Sequence, residues 1–265
     1  MEDTQFREIL NRFGFSWAGY RRVRKGVKKR LIRHMQRMRC RNIEEYIEAI
    51  EKDREKRLQF ERLMAVSISR FFRDRVLWGI MGEKILPLLV SKASQAIKIW
   101  SAGCASGEEV YSIKIVWQGL RESYAYIPDL CILATDLSPT YLDRAKTAVY
   151  PCSSIKELPE GALSTYFKKC EGGKYALRSA MRDGIVWQVH HLLSDPPGTA
   201  FDLIFLRNNL LTYYGDEVKI PAITNVVNSL VPGGFLIIGS HERMPTNVVD
   251  LMPWGGSTVI FQKQY

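Results

Sequence analysis

Disulfide and metal signatures are missing from this chain. Its five cysteines, Cys40, Cys104, Cys131, Cys152 and Cys170, are odd in number, scattered and without the paired spacing of a zinc site. Free thiols in a reducing cytoplasm are therefore expected, with no bound metal. Long apolar runs are absent too: no stretch reaches the roughly eighteen uncharged residues that a membrane-crossing helix needs, so no stable membrane insertion is expected. The start, Met1-Glu2-Asp3, is acidic where a secretory leader is basic and then apolar. The most telling absence is one of charge sign. No Asp or Glu occurs between residues 21 and 41, while Arg21, Arg22, Arg24, Lys25, Lys28, Lys29, Arg30, Arg33, Arg37, Arg39 and Arg41 follow one another. A solvated helix face normally mixes signs, so this run implies an anionic partner or, in the plainer reading, a basic solvated helix. It carries much of the net charge of +10.

What is present divides the chain in two. Over residues 1–66 apolar side chains recur at helical spacing (Phe6, Ile9, Leu10, Phe13; Val27, Leu31, Ile32, Met35), and Asn42 precedes an acidic first turn as a helix cap does. A small all-α domain is expected there, with its arginines outward. Over residues 67–265 strand-like runs alternate with amphipathic stretches: Ile97–Trp100, Leu130–Thr135, Phe201–Leu206, Phe235–Gly239 and Thr258–Phe261. That alternation predicts a doubly wound, mostly parallel α/β sheet, in which Pro232-Gly233-Gly234 reads as a turn flanking a strand. Between about 170 and 190, Lys174–Arg178 and Gly184–Val189 around Asp183-Gly184 read as a small antiparallel flap.

The richest segment is Ile97-Lys98-Ile99-Trp100-Ser101-Ala102-Gly103-Cys104-Ala105-Ser106-Gly107-Glu108-Glu109. It reads as a buried strand, a turn of small residues and an acidic helix start. Small residues allow close backbone approach to a ligand. A phosphate site uses a bare helix N-terminus, whereas Glu108 and Glu109 would repel a phosphate and favour a cation. S-adenosylmethionine, with its sulfonium and ammonium groups, fits that polarity. Downstream, Cys131–Asp136 is a second apolar strand ending in an acid roughly twenty to thirty residues past the glycine turn, where a ribose hydroxyl partner sits in doubly wound sheets. Taken alone Asp136 also reads as a helix cap. Together the two segments indicate a class I methyltransferase core.

Further segments, in order, make the resemblance specific: Ser69-Arg70-Phe71-Phe72-Arg73-Asp74, Trp100–Ser112, Ala134-Thr135-Asp136, Phe201–Asn208, Pro232-Gly233-Gly234 and Gly239-Ser240-His241-Glu242. The chain resembles the CheR family of chemotaxis-receptor glutamate methyltransferases over nearly its whole length. The resemblance implies an S-adenosylmethionine-dependent protein-glutamate O-methyltransferase releasing S-adenosylhomocysteine. It implies receptor helices as partner, docked on the basic face of the helical domain (Arg21, Arg22, Arg24, Lys25, Lys28, Lys29, Arg30, Arg33, Arg37), and a cytoplasmic, monomeric enzyme that has no nucleic acid partner. A glutamate is already ionised at neutral pH, so such an enzyme needs alignment of donor and acceptor rather than a general base.

By the same resemblance Arg73 is the catalytic arginine beside cofactor and acceptor carboxylate; the alternative for it is an ion pair with Asp74. Cofactor contacts fall on Ser67, Ser69, Arg73, Ala102, Gly103, Glu109, Asp136, Leu137, His191, Leu192, Arg207 and Asn208. Ser67 and Ser69 stand where the family carries Asn and Thr, and His191 where it carries Asn. Glu108 reads equally as an ordinary first-turn acid. The family run Arg-Asn-Val-Leu-Ile-Tyr-Phe is here Arg207-Asn208-Asn209-Leu210-Leu211-Thr212-Tyr213-Tyr214. Ungapped, Thr212 takes the tyrosine position; a one-residue insertion would bring Tyr213 into register, and Tyr213 is the expected functional hydroxyl. His241 and Glu242 read as structural or at the pocket edge. Two rival functions stay open: a methyltransferase of this fold acting on another substrate such as nucleic acid, and a non-catalytic S-adenosylmethionine-binding regulatory module.

Overall fold

A computed structural model describes residues 1–93 and 95–264. Five helices come first: α1 (Asp3–Arg12), α2 (Trp17–Tyr20), α3 (Arg24–Arg37), α4 (Ile43–Glu51) and α5 (Arg54–Met64). Their starts follow local chemistry. Asn42 Oδ1 accepts the Glu45 N–H at 2.8 Å and Asp53 Oδ1 accepts the N–H groups of Glu55 and Lys56, satisfying donors that a helix start leaves bare. The apolar faces meet in one cluster of Phe6, Ile9, Leu10, Phe13, Tyr20, Leu31, Tyr46 and Phe60. Each such side chain taken from water contributes on the order of 1.5–3 kcal/mol.

The basic run is not uniformly free. Arg24 and Lys28 of α3 both reach Asp3 of α1, at 3.2 and 2.5 Å. Arg30 donates to the carbonyls of Leu63 and Ala65 at the end of α5, at 2.8 and 3.0 Å. These three fasten helices to one another and do not belong to an outward face. Arg21, Arg22, Lys25, Lys29, Arg33 and Arg37 stay exposed; the last four run along one side of α3, because three to four residues make a turn.

The remainder contains α6 (Arg75–Ile80), α7 (Leu86–Lys92), α8 (Glu108–Ser123), α9 (Pro139–Thr147), α10 (Ala162–Tyr166), α11 (Leu210–Tyr213) and α12 (Asp216–Asn228). Its strands are β1 (Ala96–Ala102), β2 (Asp129–Asp136), β3 (Val149–Pro151), β4 (Phe167–Lys169), β5 (Lys174–Leu177), β6 (Ile185–Val189), β7 (Phe201–Leu206), β8 (Leu230–Ile238), β9 (Leu251–Pro253) and β10 (Ile260–Lys263). The main sheet runs β6-β2-β1-β7-β8-β10-β9. β6, β2, β1, β7 and β8 are parallel; β10 pairs antiparallel with β8 and β9. Separate apolar clusters cover its two faces, so the central strands β1, β7 and β8 are largely buried on both sides and read as apolar runs. Among the described residues no helix is long and apolar enough to cross a membrane.

Three expectations need correction. The antiparallel flap exists, but it is built of β3, β5 and β4. Gly184–Val189 does not pair with Lys174–Arg178; residues 185–189 form β6, the parallel edge of the main sheet beside β2. Its short apolar alternation suits an edge strand as well as a hairpin arm. Pro232-Gly233-Gly234 lies inside β8, where the register against β7 slips between Phe201 and Leu203, so a bulge stands where a turn was expected. The last strand begins at Ile260 instead of Thr258.

The helical part is joined to the sheet through α11. Phe15 bridges Tyr214, the Ser16 N–H donates to the Tyr213 carbonyl at 2.8 Å, and the rings of Tyr20 and Tyr213 lie 4.9 Å apart. Gly19 permits that approach: a Cβ there would stand 2.0 Å from the Thr212 carbonyl oxygen. Gly19→Ala should therefore cost about 1–3 kcal/mol in thermal unfolding. Gly26→Ala, within α3 and with nothing within 4 Å of the added carbon, should add about 0.5–1 kcal/mol.

Candidate active site

Strand order reverses between β1 and β7, and a cavity of about 940 Å³ opens at that carboxyl edge, roofed by residues of the helical part. Doubly wound sheets bind ligands at this kind of switch point. Five parallel strands supply the wall through the residues that follow them: Gly103 after β1, Asp136 ending β2, His190 to Leu192 after β6, Arg207 to Asn209 after β7, and His241 and Glu242 beyond β8.

The turn after β1 is glycine-dependent. Gly103 has φ of 82° and Gly107 of 87°, and a Cβ on Gly103 would meet Asn209 Nδ2 at 2.2 Å. The N–H groups of Gly103 and Cys104 both donate to the Thr135 carbonyl at 2.8 Å, folding the turn against β2. Asp136 Oδ2 accepts the Ala105 N–H at 3.0 Å and Oδ1 the Ser138 N–H at 2.9 Å. Burial nevertheless pushes its carboxyl above the ordinary range, since the amides of Ser138, Ala105 and Leu137 repay only part of the lost hydration. Asp136 thus caps its loop and also lines the cavity.

The two acids at the start of α8 part company. Glu109 lines the cavity, accepting from Ser101 Oγ at 2.8 Å and from Arg207 Nη1 at 3.0 Å. Glu108 is buried, with Ser154 Oγ donating to it at 3.2 Å and the Ser69 side chain hydrogen-bonded to it as well, and burial raises its pKa. The expected carboxylate pair is therefore one acid facing the cavity and one inside the fold, because neighbouring residues on a helix point about 100° apart. Ala102 is buried behind the wall, its carbonyl accepting from Asn209 Nδ2 at 2.6 Å; the lining begins at Gly103.

Arg73 is not paired with Asp74. Its Nη1 donates to the Ile68 carbonyl at 2.9 Å and its Nη2 to Asn208 Oδ1 at 3.3 Å. Both partners are neutral, so the guanidinium charge faces the cavity uncompensated by them. Asp74 turns instead to the buried Arg207, which it shares with Glu109. Arg207 also donates to the Arg73 carbonyl at 3.2 Å, tying three chain segments together. The loop carrying Arg73 is held from below: the Phe71 N–H donates to the Ser154 carbonyl and the Phe72 N–H to Ser112 Oγ. Phe72, Asp74, Ala105 and Asn208 all have positive φ, between 51° and 67°. Left-handed conformations are disfavoured for residues with a Cβ, and these four cluster around the Arg207 network and the turn after β1.

The other expected residues also meet the cavity: Ser67, Ser69, Leu137, His191, Leu192 and Tyr213. His191 is fixed by two partners. Its Nδ1 accepts the Leu193 N–H at 3.1 Å, which leaves Nε2 to donate to Glu61 of α5 at 3.0 Å. Burial raises the Glu61 carboxyl, but hydrogen bonds from His191 and Arg57 outweigh it and the net shift is downward. Arg62 Nε donates to the Leu137 carbonyl at 3.3 Å, a second strut from α5. Burial raises the Tyr213 hydroxyl, while the nearby Arg73 charge acts the other way. Thr212 also lines the cavity, its hydroxyl donating to Glu242 at 2.6 Å. Asn209, Glu61 and Arg62 escaped the sequence reading because their roles rest on contacts 107, 130 and 75 residues distant.

A mostly parallel sheet with β10 set antiparallel between β8 and β9, a cavity at its switch point and an acid ending the second strand make the architecture of a class I methyltransferase. Residues 67–259 match the family model of the CheR methyltransferase, SAM binding domain, and the chain belongs to that family. A chemotaxis protein methyltransferase of Listeria monocytogenes is 31% identical over 240 residues, covering 90% of this chain and 88% of that protein. One from Borreliella burgdorferi is 29% identical over 256 residues, covering 92% and 89%. An uncharacterised 104.1 kDa protein of Rhodobacter capsulatus is 31% identical over 220 residues, and this chain spans only 23% of its length. Among solved structures, a TehB-like SAM-dependent methyltransferase from Corynebacterium glutamicum is 16% identical, covering 71% of this chain and 92% of that one at a TM-score of 0.39.

Two tests follow from the charge network. Arg207→Met would leave Asp74 and Glu109 without their shared cation and should cost about 3–5 kcal/mol in denaturant unfolding. Glu61, whose pKa is lower folded than unfolded, stabilises the fold above its ordinary value, and that contribution is lost as pH falls through the folded pKa. Glu61→Gln should therefore lose less stability than the parent between about pH 5 and pH 3.

Proposed function

We propose that this chain is an S-adenosylmethionine-dependent protein-glutamate O-methyltransferase that esterifies glutamates on chemoreceptor helices. The observation that carries this reading is the polarity of the cleft. Two carboxylates, Glu109 and Asp74, share the single Arg207 guanidinium, while the Arg73 guanidinium is held by neutral partners. One end of the site thus favours a cation and the other receives an anion. The names of the Listeria and Borreliella relatives support the same substrate class.

The residues fit the cofactor on two counts. The Gly103 turn has no room for a side chain against Asn209, leaving backbone at the place where a nucleoside approaches. The buried Nε–H of Arg207 has no acceptor among the described residues, which suits the carboxylate of an amino acid moiety. When bound, S-adenosylmethionine supplies an electrophilic methyl group and leaves as S-adenosylhomocysteine. Asp136 would hold the ribose hydroxyls, His191, Leu192 and Leu137 the adenine side, and Glu109, Arg207, Gly103, Ser67 and Ser69 the methionyl side. Arg73 would bind and orient the acceptor carboxylate, for which a planar guanidinium is well shaped. Tyr213 and Asn208 would border it and exclude water. No residue needs to remove a proton, because the glutamate arrives ionised; alignment alone can lower the barrier by roughly 7–11 kcal/mol.

The exposed Arg21, Arg22, Lys25, Lys29, Arg33 and Arg37 would dock an acidic receptor helix, in the cytoplasm and with the enzyme a monomer. Thr212, which takes the family's tyrosine position when the run is read without a gap, favours a second reading, a cofactor-binding module without transfer. The experiment that separates them supplies radiolabelled S-adenosylmethionine and membranes bearing the host's chemoreceptors. Label on receptor, released by base as methanol, is expected, with Arg73→Ala lowering kcat at least about a hundred-fold and Lys29→Glu/Arg33→Glu raising KM for receptor but not for cofactor. Cofactor binding with no label on receptor would reject the enzyme reading for those receptors.

A further inference from the structure

Glu242 has no part in the reading above, yet it occupies the joint of the site. It is 5% exposed, and its carboxylate accepts three hydrogen bonds from three elements. Oε2 takes the N–H of Asn208, just past β7, at 2.8 Å and the N–H of Gly239, just past β8, at 2.7 Å. Oε1 takes the hydroxyl of Thr212, in α11, at 2.6 Å. The ladder between β7 and β8 ends at Leu206 and Ile238, so this carboxylate continues the tie where the backbones stop pairing. The fit is close: a Cβ on Gly239 would lie 2.8 Å from both Glu242 Oε2 and Asn208 Oδ1.

Each tie leads to a residue of the proposed chemistry. The first fixes the left-handed backbone of Asn208 (φ 57°), whose side-chain oxygen holds the Arg73 guanidinium. The third fixes Thr212, whose neighbour Tyr213 lies on the cleft wall. Hydrogen bonds to an ionised carboxylate are the strong ones, and a left-handed non-glycine residue persists only where its surroundings over-determine it.

We propose that Glu242 is a positioning residue for methyl transfer: it sets the 208–213 segment so that Asn208 orients Arg73 and Tyr213 stays at the acceptor side. The proposal rests on Arg73 and Tyr213 acting as described above, so its test has one arm that needs no turnover.

Crystal structures of Glu242→Gln and Glu242→Leu are the first arm. Glutamine can still accept the two N–H groups with its carbonyl and donate to the Thr212 hydroxyl, so Asn208 should keep its positive φ and its contact with Arg73. With leucine both should be lost. Methyl-transfer kinetics are the second arm. Glu242→Leu should lower kcat about a hundred-fold and Thr212→Val about ten-fold, each with KM for S-adenosylmethionine nearly unchanged, and Glu242→Gln should restore most of the rate. Asn208 and Arg73 in place in Glu242→Leu, or a parental kcat in Thr212→Val, would overturn the proposal. Should Glu242→Leu fail to fold, Thr212→Val and Glu242→Gln still decide it. A parent enzyme silent toward receptors would reject the glutamate reading while the structural arm continued to judge Glu242.

Discussion

The site is organised around one buried cation shared by two acids. Arg207 leaves the end of β7 with its side chain 4% exposed and meets Asp74 from the loop before α6 and Glu109 from the first turn of α8. Three segments that lie far apart in sequence must converge for that charge to be tolerated, because an unpaired guanidinium in such a place is costly. Convergence has a second effect. It sets the Asp74 backbone in a left-handed conformation and turns Arg73 away from its sequence neighbour, toward Asn208 and the cavity. The ion pair that sequence proximity suggested is thereby replaced by a longer-range one, and the Arg73 guanidinium is held by neutral partners at the cavity.

The helical part is built into this arrangement. α2 packs on α11 through the side-chain-free Gly19, and α5 sends Glu61 to His191 and Arg62 to the Leu137 carbonyl. Residues on the roof and on the sheet edge therefore enclose the same cavity. The basic run serves both structure and surface. Arg24, Lys28 and Arg30 clamp helices together, whereas Lys25, Lys29, Arg33 and Arg37 are left along one exposed side of α3.

Much of this was legible in the sequence, for physical reasons. β1 and β7 are largely buried on both faces and so read as apolar runs, and the Gly103 turn shows itself because side chains do not fit there. Strands of mixed exposure were misread: β6 alternates like a hairpin arm although it is a parallel edge, and the bulged start of β8 looks like a turn. Within the site, residues at strand ends and glycine turns could be placed. The direction in which Glu108 and Glu109 diverge could not, nor could the Glu61–His191 and Thr212–Glu242 contacts, which depend on packing between segments distant in the chain.

The most direct measurement is a crystal structure of the protein with S-adenosylhomocysteine. The nucleoside is expected at the edge of β1 and β2, with its ribose hydroxyls on Asp136, and the amino acid moiety beside Glu109 and Arg207. Arg73 should lie at the open side, next to the sulfur. A ligand seated elsewhere, or one that displaces the Asp74–Arg207–Glu109 network to enter, would contradict it.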